Sequence, residues 1–285
     1  MAIMQELHQK YERLREIIQG FPAMLVAYSG GADSAFLLKV AYDVLGERVQ
    51  AAIADSPSLP RRELEQALMI AREYIGIEPV VIQTREMENP DYLSNDGNRC
   101  YFCKSEMFSR MEVYAADSSI PVLAFGENAD DRMDHRPGAQ AAREHEVRAP
   151  LREAELTKDE IRQLSRRLGL PTWEKPAAPC LSSRFPYGER ITPEGLLMVE
   201  KAEDFLFQLG FRKLRVRHHG HLARIEVPAE EIHLLAETTM REKITDRLKA
   251  IGYLFVCLDL TGLKSGSLNA ILTKRTPSIS PIIRS

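Results

Sequence analysis

Residues 24–34 constrain the fold of this chain more than any other stretch. They read Met-Leu-Val-Ala-Tyr-Ser-Gly-Gly-Ala-Asp-Ser, and apolar residues about one helical turn apart follow at Phe36, Leu37, Val40, Val44 and Leu45. This pattern predicts a strand, a glycine turn and a helix. Glycine permits positive φ and lets a ligand approach the backbone closely, and the first amides of a helix lack intrahelical partners. The stretch is therefore expected to cradle phosphate.

The residue order in this turn separates it from two common phosphate-binding motifs. A Walker A loop needs Gly-x-x-x-x-Gly-Lys before Ser or Thr, and the dinucleotide motif needs Gly-x-Gly-x-x-Gly. Ser-Gly-Gly-x-Asp-Ser resembles instead the PP-loop of the ATP pyrophosphatases, which cut ATP between its α and β phosphates. The resemblance implies that ATP phosphates and the accompanying Mg²⁺ are held by Ser29, Gly30, Gly31, Asp33 and Ser34. The alternative is a tight turn before a core helix.

The composition is that of a globular protein, and the charge limits its partners. The chain has 285 residues, of which 44% are hydrophobic and 28% charged, with a net charge of −3. This length allows one large domain or two modest ones, and this charge supplies no overall basic field for nucleic acid. Residues 1–20 predict an amphipathic helix rather than a signal peptide, and no apolar run approaches the ~20 residues that span a bilayer. We expect a cytoplasmic protein with no membrane or nucleic-acid partner.

Strand and helix patterns alternate through the first part of the chain. Apolar strands are predicted at 49–54, 79–83 and 121–125, and Thr157 with Glu160 predicts a capping box that starts a later helix. The alternation predicts an α/β fold with a doubly wound parallel sheet, and the PP-loop resemblance implies the HUP-like version of it. After Gly188 the order becomes α-β-β-α-β, with one long helix from about 229 to 251. We predict two domains, 1–188 and a smaller α+β domain at 189–285.

Polar residues follow two of the predicted strands. Asp55 and Ser56 come after the second strand, and Glu127 and Asp131 come after the fourth. Ligands of a doubly wound sheet lie at the carboxyl ends of its strands. Asp55 and Ser56 are therefore candidates for adenine or ribose contact, and the two later carboxylates are candidates for Mg²⁺ carried by ATP. For the acidic pair, a solvated loop with helix caps is the alternative.

The four cysteines are too few for a disulfide scaffold in a chain of this length. Cys100 and Cys103 form a Cys-x-x-Cys pair, a spacing that serves zinc, iron–sulfur clusters and dithiol exchange equally well. Cys180 follows a proline-rich segment that cannot be helical, so we predict that it is held in a fixed loop at a site. Cys257 lies in an apolar strand pattern and is predicted to be a buried small hydrophobe.

Two arginines alternate along a predicted strand of the second domain. Arg215 and Arg217 leave the same face of that strand, and Arg224, His218 and His219 are near them in the sequence. The set predicts an anion pocket. A solvated edge strand explains the pattern nearly as well.

Five segments together resemble the LarE-type ATP-dependent sulfur transferases. They are Ser-Gly-Gly-Ala-Asp-Ser at 29–34, Asn-Arg-Cys-Tyr-Phe-Cys-Lys at 98–104, Cys-Leu-Ser-Ser-Arg-Phe-Pro-Tyr-Gly at 180–188, Arg-Val-Arg at 215–217 and Leu-Asp-Leu-Thr-Gly-Leu-Lys-Ser-Gly at 258–266. The resemblance implies adenylylation of a carboxylate of pyridinium-3,5-biscarboxylic acid mononucleotide. Sulfur then replaces AMP, and the thiocarboxylate leads to the nickel-pincer nucleotide cofactor.

The family draws its sulfur from two sources, which its cysteines distinguish. Cys100, Cys103 and Cys180 match the branch whose three cysteines look like ligands of a 4Fe–4S cluster, with one iron left open to carry a sulfide. The second possibility is that Cys180 gives up its own sulfur and ends as dehydroalanine. A zinc site that lacks one ligand is the third.

The resemblance also implies roles for basic residues. Lys104 and Arg184 stabilise charge on the adenylate and so join Asp33 and Cys180 as catalytic residues. The resemblance implies that the substrate phosphate is bound by Arg215, Arg217 and Lys264. Lys264 stands where relatives often have Arg, and a lysine cannot make a bidentate contact. We expect a homo-oligomer whose partners are the mononucleotide and a sulfide donor. A PP-loop tRNA thiolase and a catalytically idle nucleotide-binding module stay open as alternatives.

Overall fold

The computed structural model describes residues 2–133, 137–176 and 178–264. The α-helices in these ranges are α1 (Ala2–Gln19), α2 (Ala32–Leu45), α3 (Arg61–Ile70), α4 (Pro90–Leu93), α5 (Arg99–Asp117), α6 (Pro137–Glu144), α7 (Pro150–Glu153), α8 (Lys158–Arg167), α9 (Pro193–Gln208), α10 (Ile232–Ala236) and α11 (Thr238–Ile251). The strands are β1 (Met24–Ala27), β2 (Val49–Asp55), β3 (Val80–Gln83), β4 (Val122–Phe125), β5 (Arg215–His219), β6 (Leu222–Glu226) and β7 (Phe255–Leu258). None of the helices described is both long and apolar enough to cross a bilayer.

The chain forms two compact units. The first comprises Met1–Asn89 and Asn98–Pro179, and the second comprises Pro90–Gly97 and Cys180–Ser285. The main change of unit thus falls at residue 180, whereas the domains predicted from the sequence meet at 188/189.

The first unit is built on a parallel four-stranded sheet in the order β3-β2-β1-β4. Met24 of the central strand pairs with Val49 on one side and Val122 on the other. Leu25 and Val26 point to opposite faces of this strand and both are 0% exposed, because helices cover both faces. Val26 packs in a cluster with residues of α1, α2 and α8, and Leu25 packs with Met111 and Ala115 of α5. The predicted α/β fold with a parallel sheet is confirmed.

The second unit contains a three-stranded sheet in the order β5-β6-β7. β5 and β6 are antiparallel, with Arg217 opposite Arg224, and β7 runs parallel to β6, with Cys257 opposite Arg224. One face of the sheet, with Val216, Ala223 and Ile225, packs against α9 and α11. The other face carries the charged residues.

Two predictions about the second unit are wrong. The helix expected from 229 to 251 is interrupted at Glu237, whose φ of −58° and ψ of 138° are extended. Helical spacing continues on both sides of the break, so the pattern alone did not show it. Cys257 is exposed rather than buried, because it lies on the sheet face opposite the helices, beside Arg224.

Candidate active site

The glycine turn between β1 and α2 leaves backbone amides open at a helix N-terminus. Gly30 has a φ of +68°, and Gly31 stands at the N-cap of α2, where it offers no side chain to cap the helix. The Ser29 amide donates to Ser34 Oγ at 3.1 Å, and the Ser29 and Ser34 hydroxyls lie 3.0 Å apart. These bonds fix the turn, and the open amides with the helix dipole favour an anion.

The turn is also closely packed against its neighbours. A Cβ built on Gly30 would lie 2.4 Å from Ala67 Cβ of α3. One built on Gly126, just after β4, would lie 2.8 Å from the Ser34 backbone nitrogen. Lys175 Nζ donates to the Gly30 carbonyl at 3.2 Å and pairs with Glu63 at 2.9 Å. The backbone path of the turn is therefore set by α3, the end of β4 and the loop that contains Lys175.

Asp33 lies in the first turn of α2, and two side chains from other elements hold one of its oxygens. Lys158 Nζ lies 2.5 Å from Asp33 Oδ2, and the Asn128 side-chain amide donates to the same oxygen at 3.4 Å. Asp33 Oδ1 is buried and has no hydrogen-bond partner in the part of the chain described. A buried oxygen without a donor is costly. This site fits Mg²⁺, which binds through one or two carboxylates and the phosphates of a nucleotide.

The acidic residues after β4 make structural contacts close to the glycine turn. Glu127 pairs with Arg152 at 2.5 Å and its side chain is 8% exposed. Asp131 Oδ2 accepts from the Asn128 backbone N–H at 3.2 Å, and Asp130 accepts from the backbone N–H of Lys158, the first residue of α8, at 2.8 Å. An ion pair at Glu127 and capping contacts at Asp130 and Asp131 thus occupy these carboxylates in part.

Asp55 and Ser56, the candidates for adenine or ribose contact, are held in local networks. Asp55 accepts from Arg61 at 2.5 Å and from Gln83 at 2.8 Å. Burial by itself would raise the pKa of Asp55, but the bonds from Arg61 and Gln83 bring that pKa below its ordinary 3.8. Ser56 Oγ lies 2.9 Å from Ser58 Oγ. Both carboxylate oxygens of Asp55 therefore already have donors.

The Cys-x-x-Cys pair lies within a helix rather than before one. α5 begins at Arg99, so Cys100 and Cys103 lie three residues apart in its first turns and share a face. Cys100 is exposed and Cys103 partly exposed, and neither forms a disulfide with a described residue. The Lys104 ammonium lies 5.7 Å from the centroid of the Phe108 ring, and a Cβ on Gly138 of α6 would lie 3.2 Å from Lys104 Cγ. The Lys104 side chain thus lies over Phe108 and against the start of α6.

In the second unit, Cys180 is the N-cap residue of a short 3₁₀ helix, Leu181–Arg184. The Arg184 guanidinium donates to the Cys180 carbonyl at 3.1 Å and makes a two-pronged ion pair with Glu203, with both contacts at 2.9 Å. Asn95, which is fully buried, donates to the carbonyls of Pro186 and Glu189 at 2.7 and 3.0 Å. The loop that bears Cys180 is therefore tied to α9 and to residues 90–97.

The charged face of the second sheet carries three arginines in different situations. Arg217 is 2% exposed and pairs with Glu226 at 2.8 Å, and Arg224 also reaches Glu226, at 3.2 Å. Arg215 is partly buried, and its side chain makes no hydrogen bond or ion pair to any described residue. Burial, followed by repulsion from Arg217 and Arg184, lowers the pKa of Arg215. A guanidinium in this state favours an incoming anion. Lys264 is exposed at the end of the described chain.

The structure groups the predicted residues into two sets. Within the first unit lie the glycine turn, Asp33, Asp55, Ser56, Glu127, Asp131, Cys100, Cys103 and Lys104; within the second lie Cys180, Arg184, Arg215, Arg217 and Lys264. Across the described ranges, no three His, Cys, Asp or Glu side chains are arranged to hold a metal ion. Cys180 belongs to a different unit from Cys100 and Cys103, and the three cysteine ligands stay a prediction.

Sequence reasoning missed the partners of the predicted residues. Lys158 was visible only as part of the capping box, which is confirmed at Thr157 and Glu160. Glu203 is buried on α9, where a charged residue in an apolar pattern was the available signal. Glu226 is buried on the charged face of the second sheet, and its alternation with Arg224 gave no separate signal. Nothing in the sequence around Lys175 indicated its contact with the glycine turn.

Comparisons with known proteins extend over the whole chain. An uncharacterised protein of Synechocystis sp. is 48% identical over 268 residues, which are 94% of this chain and 100% of the relative. The pyridinium-3,5-bisthiocarboxylic acid mononucleotide synthase of Lactiplantibacillus plantarum is 35% identical over 273 residues, 95% of this chain and 98% of the synthase. The glutamine-hydrolysing GMP synthase of Aspergillus oryzae is 26% identical over 313 residues, 92% of this chain but 56% of that enzyme. No protein-family profile matches the chain.

The parallel sheet, the glycine turn at its central strand and these relatives define an ATP-using enzyme of the PP-loop ATP pyrophosphatase class. Within that class the relation to the synthase is much stronger than the relation to GMP synthase. The chain belongs to the LarE family, that of the L. plantarum synthase.

Proposed function

We propose that this enzyme adenylylates a carboxylate of pyridinium-3,5-biscarboxylic acid mononucleotide and converts it to a thiocarboxylate for nickel-pincer cofactor synthesis. The observation that carries the proposal is similarity to the L. plantarum synthase over almost the full length of both chains. The glycine turn supports the ATP-dependent step. A carboxylate oxygen is a poor leaving group, whereas AMP leaves readily once the carboxylate has attacked the α-phosphorus and released pyrophosphate.

The first unit is proposed to bind ATP. The amides after Gly30 and Gly31 would hold phosphate oxygens, and the hydroxyls of Ser29 and Ser34 lie beside them. Mg²⁺ carried by ATP neutralises phosphate charge when bound, and Asp33, with its open Oδ1, is proposed to hold it with Glu127 or Asp131. Asp55 and Ser56 are proposed to border the adenosine, with Asp55 held in place by Arg61 and Gln83.

The second unit is proposed to bind the phosphate of the mononucleotide substrate. Arg215 has charge available, because it is partly buried and unpaired within the described residues. Arg217 already pairs with Glu226. We therefore propose that Arg217 shapes the charged face of the sheet and makes its electrostatic potential more positive, rather than binding the phosphate directly. Lys264 is proposed as a third, weaker phosphate contact.

Two basic residues are proposed to act near the thiols. Lys104 supplies positive charge for the adenylate, since its ammonium is on the helix of Cys100 and Cys103. Arg184 is braced by Glu203 and holds the Cys180 carbonyl. We therefore propose that it acts on catalysis through the position of Cys180.

The sulfur source is proposed to be the three cysteines, as ligands of a 4Fe–4S cluster reloaded by a sulfide donor. The thiolates of Cys100, Cys103 and Cys180 would hold the cluster, which would supply the sulfide when bound. Sacrifice of Cys180 is the second candidate, supported by the fixed loop that carries this single thiol.

One anaerobic turnover tests the proposal. The purified chain, ATP and the biscarboxylate mononucleotide should yield pyrophosphate, AMP and a thiocarboxylate, which mass spectrometry of the products detects. Intact mass of the protein distinguishes the sulfur sources, because sacrifice removes one hydrogen sulfide at Cys180. If iron and sulfide give a brown protein, Cys100→Ala, Cys103→Ala and Cys180→Ala should each remove the colour, whereas the control Cys257→Ala should keep it. Absence of substrate-dependent pyrophosphate would refute the proposed reaction.

A further inference from the structure

The first unit has a pocket that the proposed function does not use. It lies between α3, with the turn that continues it, and the proline-rich segment 171–176 that follows α8, and its volume is about 320 Å³. This volume is near the lower end of the range for small-molecule sites. One wall includes Ile70 and Tyr74, and the other includes Thr172 and Glu174. These residues all belong to the first unit.

Flat side chains border the pocket on both walls. α3 continues into a π-helical turn, Ala71–Ile75, in which the Gly76 backbone N–H donates to the Ala71 carbonyl at 2.9 Å. Such turns are rare and occur frequently at functional sites. Tyr74 lies in this turn and is 46% exposed, and Pro176 on the other wall is exposed as well. Part of the Tyr74 ring is therefore open to stacking with an aromatic ligand.

Thr172 is the polar residue that points to a ligand. It lines the pocket and is 1% exposed, yet its hydroxyl is buried with no hydrogen-bond partner among the described residues. A buried polar group without a partner is costly, and an apolar side chain of the same shape would avoid that cost. The unpaired hydroxyl therefore favours a ligand that carries polar atoms.

The charges around the pocket disfavour a phosphate. Glu174 is exposed and pairs with no described cation, whereas the Lys175 ammonium is already bound to Glu63 and to the glycine turn. An anion would thus meet an unpaired carboxylate and an ammonium that is already occupied. An ionised carboxylate only accepts hydrogen bonds, so the ligand must bring N–H donors to it, whereas the Thr172 hydroxyl and the Gln66 amide can also donate. A ring that has both an amino group and ring nitrogens matches this set.

We propose that this pocket binds an amino-substituted nitrogen heteroaromatic base of the aminopurine class, without a phosphate. The ring stacks on Tyr74, its amino group donates to Glu174, and the Thr172 hydroxyl donates to a ring nitrogen. The inference goes beyond the proposed function and does not rest on the ATP site or on the sulfur chemistry.

Fluorescence of 2-aminopurine tests the site, because stacking quenches this base. The full chain would be titrated in saturating α,β-methylene-ATP and Mg²⁺, which block binding of the base at the proposed ATP site. We expect quenching that saturates at one base per chain. Tyr74→Ser should weaken binding by about tenfold to a hundredfold, as for loss of one base–aromatic stack, and Tyr74→Phe should keep the affinity. Phe255→Ser removes another exposed aromatic ring and should have no effect.

Two further measurements test the polar contacts. Thr172→Val should weaken binding of 2-aminopurine by about tenfold but keep or raise the melting temperature, because it removes a hydroxyl that has no partner in the empty pocket. Purine, which has no amino group, should displace 2-aminopurine about tenfold more weakly than adenine does.

The outcomes separate this inference from the proposed function. Absence of saturable quenching in the wild-type chain, or wild-type affinity in Tyr74→Ser, would overturn the inference. Equal displacement by purine and adenine would overturn the assignment of an amino group to the ligand. A chain that binds no ATP analogue, but binds 2-aminopurine and loses it in Tyr74→Ser, would refute the proposed ATP site and support the pocket.

Discussion

Gly30→Ala is the substitution for which the structure gives the clearest magnitude. Gly30 has a φ of +68°, and an added Cβ would lie 2.4 Å from Ala67 Cβ and 3.0 Å from Ala67 Cα. The left-handed backbone costs a residue with a Cβ about 1–2 kcal/mol. Overpacking against the backbone of α3 costs about 1–3 kcal/mol more. We expect Gly30→Ala to lower the free energy of unfolding by about 2–5 kcal/mol and to abolish nucleotide binding.

Equilibrium urea unfolding followed by tryptophan fluorescence measures this effect. The chain has a single tryptophan, Trp173, and it lies in the same unit as the glycine turn. Gly31→Ala is the matched control, because Gly31 has a φ of −80° and its added Cβ meets nothing closer than Ser29 Oγ at 3.4 Å. Gly31→Ala should lower the free energy of unfolding by less than about 1 kcal/mol.

A double-mutant cycle separates the clash from the backbone strain. Ala67→Gly removes the atom at 2.4 Å, so the double variant should be about 1–3 kcal/mol more stable than the sum of the two single effects. An unfolding midpoint of Gly30→Ala equal to that of Gly31→Ala would refute the reasoning about the turn.

Three further predictions concern the second unit. Arg217→Met should lower the free energy of unfolding by about 3 kcal/mol, since it removes the ion pair of 2.8 Å from buried Glu226; urea unfolding followed by circular dichroism checks this. Burial, then repulsion from neighbouring histidines, lowers the pKa of His218 below 6.5, so the native state favours neutral imidazole and loses stability as the pH falls below 6.5. His218→Phe should show a smaller loss of melting temperature between about pH 6.5 and 5, and an unchanged slope would contradict this. Arg215→Met should weaken mononucleotide binding by about tenfold to a hundredfold in calorimetry, whereas exposed Arg212→Met should not; equal losses would point to nonspecific charge.

The parallel sheet could be predicted because each of its strands is a short apolar run bounded by turn residues. Buried parallel strands have this pattern, and the residues of the glycine turn identify the strand that carries the site. The break at Glu237 could not be predicted, because helical spacing continues in α10 and α11 on either side of it.

The exposure of Cys257 could not be predicted from the hydrophobic pattern either. Cys257 lies in an apolar run, but its strand has only one face against helices, and the register decides which residues face outward. The site was predictable as a set of residue types and not as a set of contacts. Lys158 and Asp33 are 125 residues apart, and nothing local in either segment indicates the other.

The central claim is that ATP activates a carboxylate of the substrate, and oxygen transfer tests it most directly. The mononucleotide would be labelled with ¹⁸O in its carboxylates and turned over once with unlabelled ATP. Attack of a carboxylate on the α-phosphorus, followed by sulfur displacement, predicts AMP that carries one ¹⁸O atom beside unlabelled pyrophosphate. Unlabelled AMP, or ADP and phosphate as the nucleotide products, would contradict the account.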